Sequence, residues 1–384
     1  MSLQTFAYDP TTADFQVHMH EIYRQLRDEH PVYRDPDQSF YALSRFQDVW
    51  KAVHDWETFS SDGVAEAQAL MPQMIYMDPP RHTSLRALVS RAFTPHRIAA
   101  IEPRIRVVAR GLVDGFASSG RGDLVHDLAA PLPSTIMGEL IGVPDEHLET
   151  FRSWTEQFVG ITAVEDFAEA AANIYGLFGD LLAARRRQPT GDLMSALIDA
   201  SVDGQQLSDE ELLGFCFLLL IAGNDTTTSL IGNGSELLAR HPEQRAALVA
   251  DPSLLPTAIE EMLRIESPTQ ALPRTAMRDV VFHDTEIPAG SRVILVWGAA
   301  NLDEREFADP ERFHIRRAIT RHLGFGHGPH FCLGASLARL EARIAFEELL
   351  SRVPEYELGG EPTRFTSTWA RAFQSLPLQF PSPA

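Results

Sequence analysis

The stretch HLGFGHGPHFCLGASLARLEAR, His322 to Arg343, changes character at Cys332. Ahead of the cysteine stand Gly324, Gly326, Gly328 and Pro329. Glycine admits backbone angles that other residues avoid and proline lacks an N–H, so this half reads as a loop. Behind it Leu333, Leu337, Leu340 and Ile344 recur at helical spacing, with Ala335, Ala338 and Ala342 as good helix formers. Cys332 is therefore expected at the end of a glycine-rich loop, just before a helix begins. Free N–H groups and the positive end of the helix dipole stabilise a thiolate at such a place. The glycines allow a flat group to come close to the loop. A thiolate presented this way suits metal ligation; the competing reading is a buried, inert cysteine.

Working outward, the 384-residue chain is 44% hydrophobic, enough for a sizeable core. No linker, low-complexity tract or internal repeat interrupts it, so one domain over residues 1–384 is expected. Against 53 acidic residues stand 33 basic ones, a net charge of −20 that argues against nucleic-acid binding. Lys51 is the one lysine, so the positive charge is almost wholly arginine. Arginine favours bidentate carboxylate contacts, although a GC-rich genome produces the same bias. Cys216, in GFCFLLL, reads as core, and two cysteines make no disulfide framework, which agrees with a reducing cytoplasm. The opening MSLQTFAYDPTTADF lacks the basic-then-apolar order of a signal segment. The longest apolar run, Phe215 to Ala222, is far below the ~20 residues of a membrane span. The expectation is a cytoplasmic protein without a membrane anchor.

In chain order, Met19 to Glu29 reads as an amphipathic helix, Pro31 to Arg45 as a strand pair turning at Asp35-Pro36-Asp37, and Phe46 to Asp55 as a helix. Ser60 to Tyr76, with Met71 and Met74, is weakly periodic and reads as a surface loop. Asp78-Pro79-Pro80 opens a helix that sets His82 and Arg86 four apart on one face. Two donors there can grip an anion or simply face solvent. His96 to Gly204 reads as successive helices, broken at Pro131-Leu132-Pro133, at Val143-Pro144-Asp145 and between Gly160 and Val164.

The longest helix starts after Leu207, where Ser208 and Glu211 fit a capping box, and is expected to reach Arg240. Its middle, FLLLIAGNDTTTSLIGNG, is a poor helix interior. Gly223 costs ~1 kcal/mol against alanine. Threonine hydroxyls can bond back to the preceding turn and bend a helix, and Asp225 in apolar surroundings needs a partner. A local defect in a strong helix points to function, though a kinked structural helix leaves the same signature. Further on, Glu261 and Arg264 lie three apart and can pair. Gln270 to Arg274 reads as a strand. Val280 to Phe282 and Arg292 to Val296 read as a hairpin around Ile287-Pro288-Ala289-Gly290, and Leu376, Leu378 and Phe380 alternate as a strand does.

In their order these segments resemble the cytochromes P-450. Phe325-Gly326-His327-Gly328-Pro329-His330-Phe331-Cys332-Leu333-Gly334 is similar to that family's haem-binding loop, and fits the bacterial form F-G-x-G-x-H-x-C-x-G at every fixed position. The resemblance implies Cys332 as the axial thiolate of a haem b iron, with Phe325, Gly326, His330 and Gly334 around it; thiolate ligation favours O–O cleavage. Asp78 to Arg86 resembles D-P-P-x-H-x-x-x-R, which implies that His82 and Arg86 hold haem propionates together with Arg274 and His330. Ala222 to Thr227 resembles the oxygen-binding motif [AG]-G-x-[DE]-T. It implies that Ala222 and Gly223 leave room for O2, that Thr226 hydrogen-bonds at the oxygen site and that Asp225 relays protons. Glu261 and Arg264 resemble the E-x-x-R core pair, with Arg312 of Pro310-Glu311-Arg312-Phe313 as the implied third, structural member. Asn301-Leu302-Asp303-Glu304 departs from the usual A-N-R-D by Leu302.

The fold so implied is mainly α with a small β region, one triangular-prism domain with haem between the long central helix and the cysteine-loop helix. The implied reaction inserts one oxygen of O2 into a C–H bond or alkene of a small to medium apolar substrate, of steroid, terpenoid, fatty-acid or polyketide class. Met74, Leu219, Ala222, Leu272 and Phe373 are the expected pocket residues, capped by Ser60 to Tyr76 and by the break at Gly160 to Val164. The chain shows no flavin or iron–sulfur motif and is too short for a fused reductase. Electrons from NAD(P)H would then come through a ferredoxin reductase and a ferredoxin. The ferredoxin would dock on a basic face of Arg316, Arg317, Arg321, Arg339 and Arg343, and the protein would be a monomer. Two alternatives stand beside this reading. A peroxygenase of the same fold would use H2O2, but usually lacks an acid–alcohol pair such as Asp225 and Thr226. A haem-thiolate sensor would need no proton relay.

Overall fold

Helices α1 (Ala13–Glu29), α2 (Phe46–His54), α3 (Arg81–Ser90), α4 (Pro95–Phe116), α5 (Pro131–Ile141), α6 (Asp145–Gly160) and α7 (Val164–Arg187) make up the first half of the chain. The second half holds α8 (Leu193–Asp199), α9 (Asp209–Arg240), α10 (Pro242–Ala250), α11 (Leu255–Ile265), α12 (Trp297–Ala300) and α13 (Ala335–Arg352). This computed structural model describes residues 6–37, 39–64, 73–90, 93–160, 164–202 and 204–381. The expected cap segments lie partly outside these residues, which omit 65–72, with Met71, and 161–163.

Helix α9 organises the rest. The Ser208 hydroxyl accepts from Glu211 N and the Glu211 carboxylate accepts from Ser208 N, so the expected capping box is formed. From there the helix runs unbroken for 32 residues. Its centre does not leave the helix as the sequence suggested. Thr226 Oγ1 donates to the Ala222 carbonyl at 2.6 Å and Ser229 Oγ to that of Asp225 at 2.7 Å, so the hydroxyls are satisfied one turn back within the helix. Length and apolar composition would let α9 cross a membrane, but 67% of its apolar window is buried inside the protein. It packs against α5, α6, α7, α11 and α13 and is the core helix.

Helix α1 begins at Ala13 rather than Met19 because the Thr12 hydroxyl accepts from Phe15 N and buries the Phe15 ring. The main sheet has five short strands in the order Val32–Arg34, Tyr41–Leu43, Arg292–Val296, Ala271–Ala276, Phe59–Ser60. The strand pair at the N-terminus is as expected. The later hairpin is not. Val280–Phe282 turns at His283 and Asp284, both at positive φ, to pair with Thr285–Ile287. Arg292–Val296 instead runs parallel to Tyr41–Leu43 and antiparallel to Ala271–Ala276. Burial accounts for the choice: Val293 and Leu295 are fully buried in the sheet centre, whereas Val281 is 67% exposed.

Candidate active site

Cys332 precedes α13 by three residues, and Gly334 is the helix N-cap. The loop before it is held by Cys332 N to Phe325 O at 2.9 Å, Phe331 N to Gly328 O at 3.1 Å and Gly326 N to Leu323 O at 2.9 Å. Gly326 and Gly328 adopt φ of +63° and +68°. A Cβ at Gly328 would lie 2.3 Å from the Val53 carbonyl oxygen, and one at Gly326 2.9 Å from the Trp297 ring. These two glycines therefore make room for α2 and Trp297, not for a bound flat group. Gly334 alone among the loop glycines faces open space. Burial pushes the Cys332 thiol up, while the Gly334 backbone N–H, Arg86 and Arg339 act to lower it.

An apolar cavity lies between α13 and α9, with Cys332, Phe325 and Gly334 on one wall and Leu219, Ala222, Gly223 and Thr226 on the other. A Cβ at Gly223 would lie 2.3 Å from the Met137 methyl, so this glycine admits Met137, itself a lining residue. Asp225 is buried within α9, outside the cavity wall. Met74, Leu219, Ala222 and Leu272 line the cavity as expected. Phe373 does not: it is buried beneath the Arg364 guanidinium, 3.6 Å from its ring centroid, and faces Gly232. Phe93, Met137, Trp297 and Glu341 line the cavity without having been singled out in the sequence. Only Glu341 left a signal there, as an acid set among Leu337, Leu340 and Ile344.

At one side of the cavity stand His82 and Arg86 of α3 with His330 of the cysteine loop. The two imidazoles lie 4.1 Å apart, centroid to centroid. His82 is buried and both its ring nitrogens lack a hydrogen-bond partner. Burial, then Arg86, pushes it down to about 4. Burial, then Arg274, His82 and Arg86, takes His330 down to about 3, and its Nε2 lies 3.2 Å from Ser61 Oγ. Arg86 reaches the Phe331 carbonyl. Arg274, 6% exposed, bonds Pro273 O at 2.7 Å and is lowered to about 10 by burial against the pull of Asp78. Among the described residues neither arginine forms an ion pair. A buried guanidinium group, Arg274, and a half-buried one, Arg86, neither with a carboxylate, beside an imidazole without partners, are costly unless an anion completes them. These residues fit the propionates of a haem whose iron Cys332 would hold.

Behind the loop, Arg264 donates to Glu261 at 2.7 and 2.9 Å, both side chains being fully buried. The third member is Arg317, whose Nε lies 3.0 Å from Glu261 Oε1, and not Arg312. The turn at Asp309 to Phe313 buries Phe313 and leaves Arg312 exposed, offering only its carbonyl to Arg317 at 2.8 Å. The expected basic face is likewise corrected. Arg339 pairs with Glu260, Arg321 with Glu306, Arg343 with Glu102 and Glu347, and Arg317 with Glu261. Of the five, Arg316 alone has no ion pair among the described residues, so these charges are locally balanced.

Burial would raise the Glu260 carboxyl, but hydrogen bonds from Arg339 and His322 outweigh it and bring it to about 2 from 4.5. A carboxylate held low stabilises the fold above its ordinary value and loses that contribution as the pH falls. Glu260→Gln is therefore expected to flatten the acid limb of stability between pH 4.5 and about 2, read from urea midpoints across that window. An acid limb identical to wild type would remove Glu260 from it.

A half-buried thiol at the head of one helix, a long helix across an apolar cavity and an unsatisfied cationic rim form the donor set of a haem-thiolate protein. The family model described as Cytochrome P-450 matches residues 162–354. The chain is 39% identical over 378 residues to cytochrome P-450 130 of Mycobacterium tuberculosis, covering 93% of each. It is 40% identical over 389 residues to the vitamin D(3) 25-hydroxylase of Pseudonocardia autotrophica, covering 97% of this chain and 96% of that one. A solved cytochrome P-450 from Chondromyces apiculatus superposes with a TM-score of 0.93 at 39% identity, covering 98% of this chain and 99% of the other. The chain belongs to the cytochrome P-450 family. It is a monooxygenase with that family's mainly α fold, and the family's cofactor is a thiolate-bound haem that works with O2.

Proposed function

We propose that this monooxygenase hydroxylates or epoxidises a small to medium apolar molecule, with Cys332 as axial thiolate and His82, Arg86, Arg274 and His330 as propionate donors. The steroid class stands first among the steroid, terpenoid, fatty-acid and polyketide candidates, because the relative from Pseudonocardia is named for vitamin D(3). The observation that carries the reading is the cavity itself. Leu219, Leu272, Met74 and Phe215 give it apolar walls, and Thr226 on α9 and Cys332 both line it. Haem supplies the oxygen-activating chemistry when bound. The chain positions the substrate by apolar contact, excludes water and moves protons. Asp225 carries a proton along α9, and Thr226 holds it at its Oγ1. Because that hydroxyl donates to Ala222 O, its lone pairs remain free to accept. Electrons come from NAD(P)H through a ferredoxin reductase and a ferredoxin, in the cytoplasm, to a monomer built as one domain.

Titrating a panel of steroids, terpenoids, fatty acids and macrolides against the holoenzyme, and following the haem spin-state shift, tests the substrate reading. A response confined to charged compounds would overturn it. Thr226→Ala is expected to lower product formed per electron by about tenfold, the scale of one proton-transfer group. An unchanged ratio would remove Thr226 from the relay.

A further inference from the structure

One side chain reaches the cavity from outside the helices that carry the motifs. Met137, on α5, is buried and, among the described residues, is the one member of that helix that lines the cavity. It arrives through a notch in α9. A Cβ at Gly223 would lie 2.3 Å from the Met137 methyl, 3.6 Å from its sulfur and 3.9 Å from its Cγ, so the end of the side chain runs along the bare backbone of that glycine. Gly223 stands one turn after Leu219 and just before Thr226, and all three line the cavity. The thioether therefore borders the cavity at the level of the oxygen-side turn.

The backbone that carries Met137 is held on both sides. Towards α9, Thr228 Oγ1 donates to the Ala129 carbonyl, just ahead of α5, at 3.1 Å. Towards α6, a Cβ at Gly138 would lie 2.5 Å from a Leu148 methyl, so the two helices are in close contact there. A backbone fixed in this way cannot close over a shortened side chain, and the space given up by the side chain stays as cavity. The side chain itself is the soft part, because methionine is unbranched, has three rotatable bonds and adapts to irregular gaps. The width of the cavity beside Gly223 is set by how far that one flexible side chain extends.

We propose that Met137 is a specificity-determining residue: its thioether, admitted by Gly223, limits the bulk of the substrate group that can lie beside the oxygen-side turn of α9. The same contact ties the two positions together. A methyl group added at Gly223 would push the end of Met137 into the cavity, because the far end of a flexible side chain yields before two packed backbones do. Shortening Met137 widens the cavity at that level, and adding a Cβ at Gly223 narrows it by way of Met137. The proposal rests on the reading of the cavity as the substrate site.

Iron-binding azoles of graded size test it on the holoenzyme: imidazole, phenylimidazole and a biphenyl-substituted imidazole, each titrated by its Soret shift. The quantity read is the Kd of the biphenyl probe divided by that of imidazole, which cancels changes at the iron itself. Met137→Ala should lower this ratio by about tenfold, the scale of a methylene in an apolar pocket. Met137→Leu, which keeps the volume, should leave it near wild type. Gly223→Ala should raise the ratio, and Gly223→Ala combined with Met137→Ala should lose that rise, since residues in contact do not act additively. Should Met137→Ala not fold, Met137→Val carries the same comparison in the same direction. A wild-type ratio in Met137→Ala, with a lower thermal midpoint as the only change, is the mark of plain packing and overturns the proposal. A rise in Gly223→Ala that persists undiminished in the double variant overturns it equally, because Met137 would then not be what the added methyl moves. If no azole, imidazole included, shifts the wild-type spectrum, the substrate-site reading of the cavity fails first and the proposal falls with it.

Discussion

Cys332→Ala is expected to abolish the thiolate-type CO-difference spectrum and all monooxygenation while the fold persists. The loop around Cys332 does not depend on the thiol for its shape. Backbone bonds from Cys332 N, Phe331 N and Gly326 N hold it, and Gly326 and Gly328 fit closely against Trp297 and α2. Removal of one sulfur leaves those contacts, so far-UV circular dichroism should match wild type. What is lost is a specific charge. Burial raises the thiol, and the Gly334 N–H with Arg86 and Arg339 act in the opposite sense. A bound ferric iron would complete the deprotonation. Cys216 offers no substitute, being fully buried in α9 and pushed up to about 12. A thiolate-type spectrum surviving in Cys332→Ala would mean that the ligand is another group and that the site reading is wrong.

Much of this site was legible because its signals are local. The glycine-rich loop before an alanine-rich helix, the capping box at Ser208 and Glu211, and the i, i+4 placement of His82 and Arg86 each depend on neighbours within a few residues. What escaped depends on partners distant in the chain. The Glu261 carboxylate meets Arg317 and not Arg312 because a turn at Asp309 reverses the side of the chain that faces inward. Arg292–Val296 pairs with Tyr41–Leu43, some 250 residues earlier, so its place could not be read from the turn beside it. Gly326 answers to Trp297, and Gly223 to Met137. The arginines near the cysteine loop suggest a basic face only until their carboxylate partners on α4, α11 and elsewhere are known. Local chemistry marked the residues of the site, and tertiary pairing decided which of them act together.

That pairing leads to the largest effect expected on stability. Arg264→Ala should destabilise the fold by about 3–5 kcal/mol, because it leaves Glu261 charged and fully buried with one cationic partner in place of two. Against the ~5–15 kcal/mol that holds a native protein together, this is a large fraction. The loss should also reach the cysteine loop. Arg264 Nη1 donates to the Asn301 carbonyl at 2.8 Å, the Asn301 amide oxygen accepts from Leu323 N at 2.7 Å, and Leu323 O accepts from Gly326 N at 2.9 Å. Haem dissociation to an acceptor globin should therefore quicken along with the fall in the urea midpoint. Arg317→Ala should cost about 1–3 kcal/mol, the range for leaving one buried acceptor short of a partner. Arg312→Ala, at an exposed turn, should stay within ~0.5 kcal/mol of wild type. Replacing Glu261 and Arg264 together by methionine and leucine should recover much of the stability lost in Arg264→Ala, since no orphaned charge then remains. Equal losses for Arg312→Ala and Arg317→Ala would show that the third member of the network has been assigned to the wrong arginine.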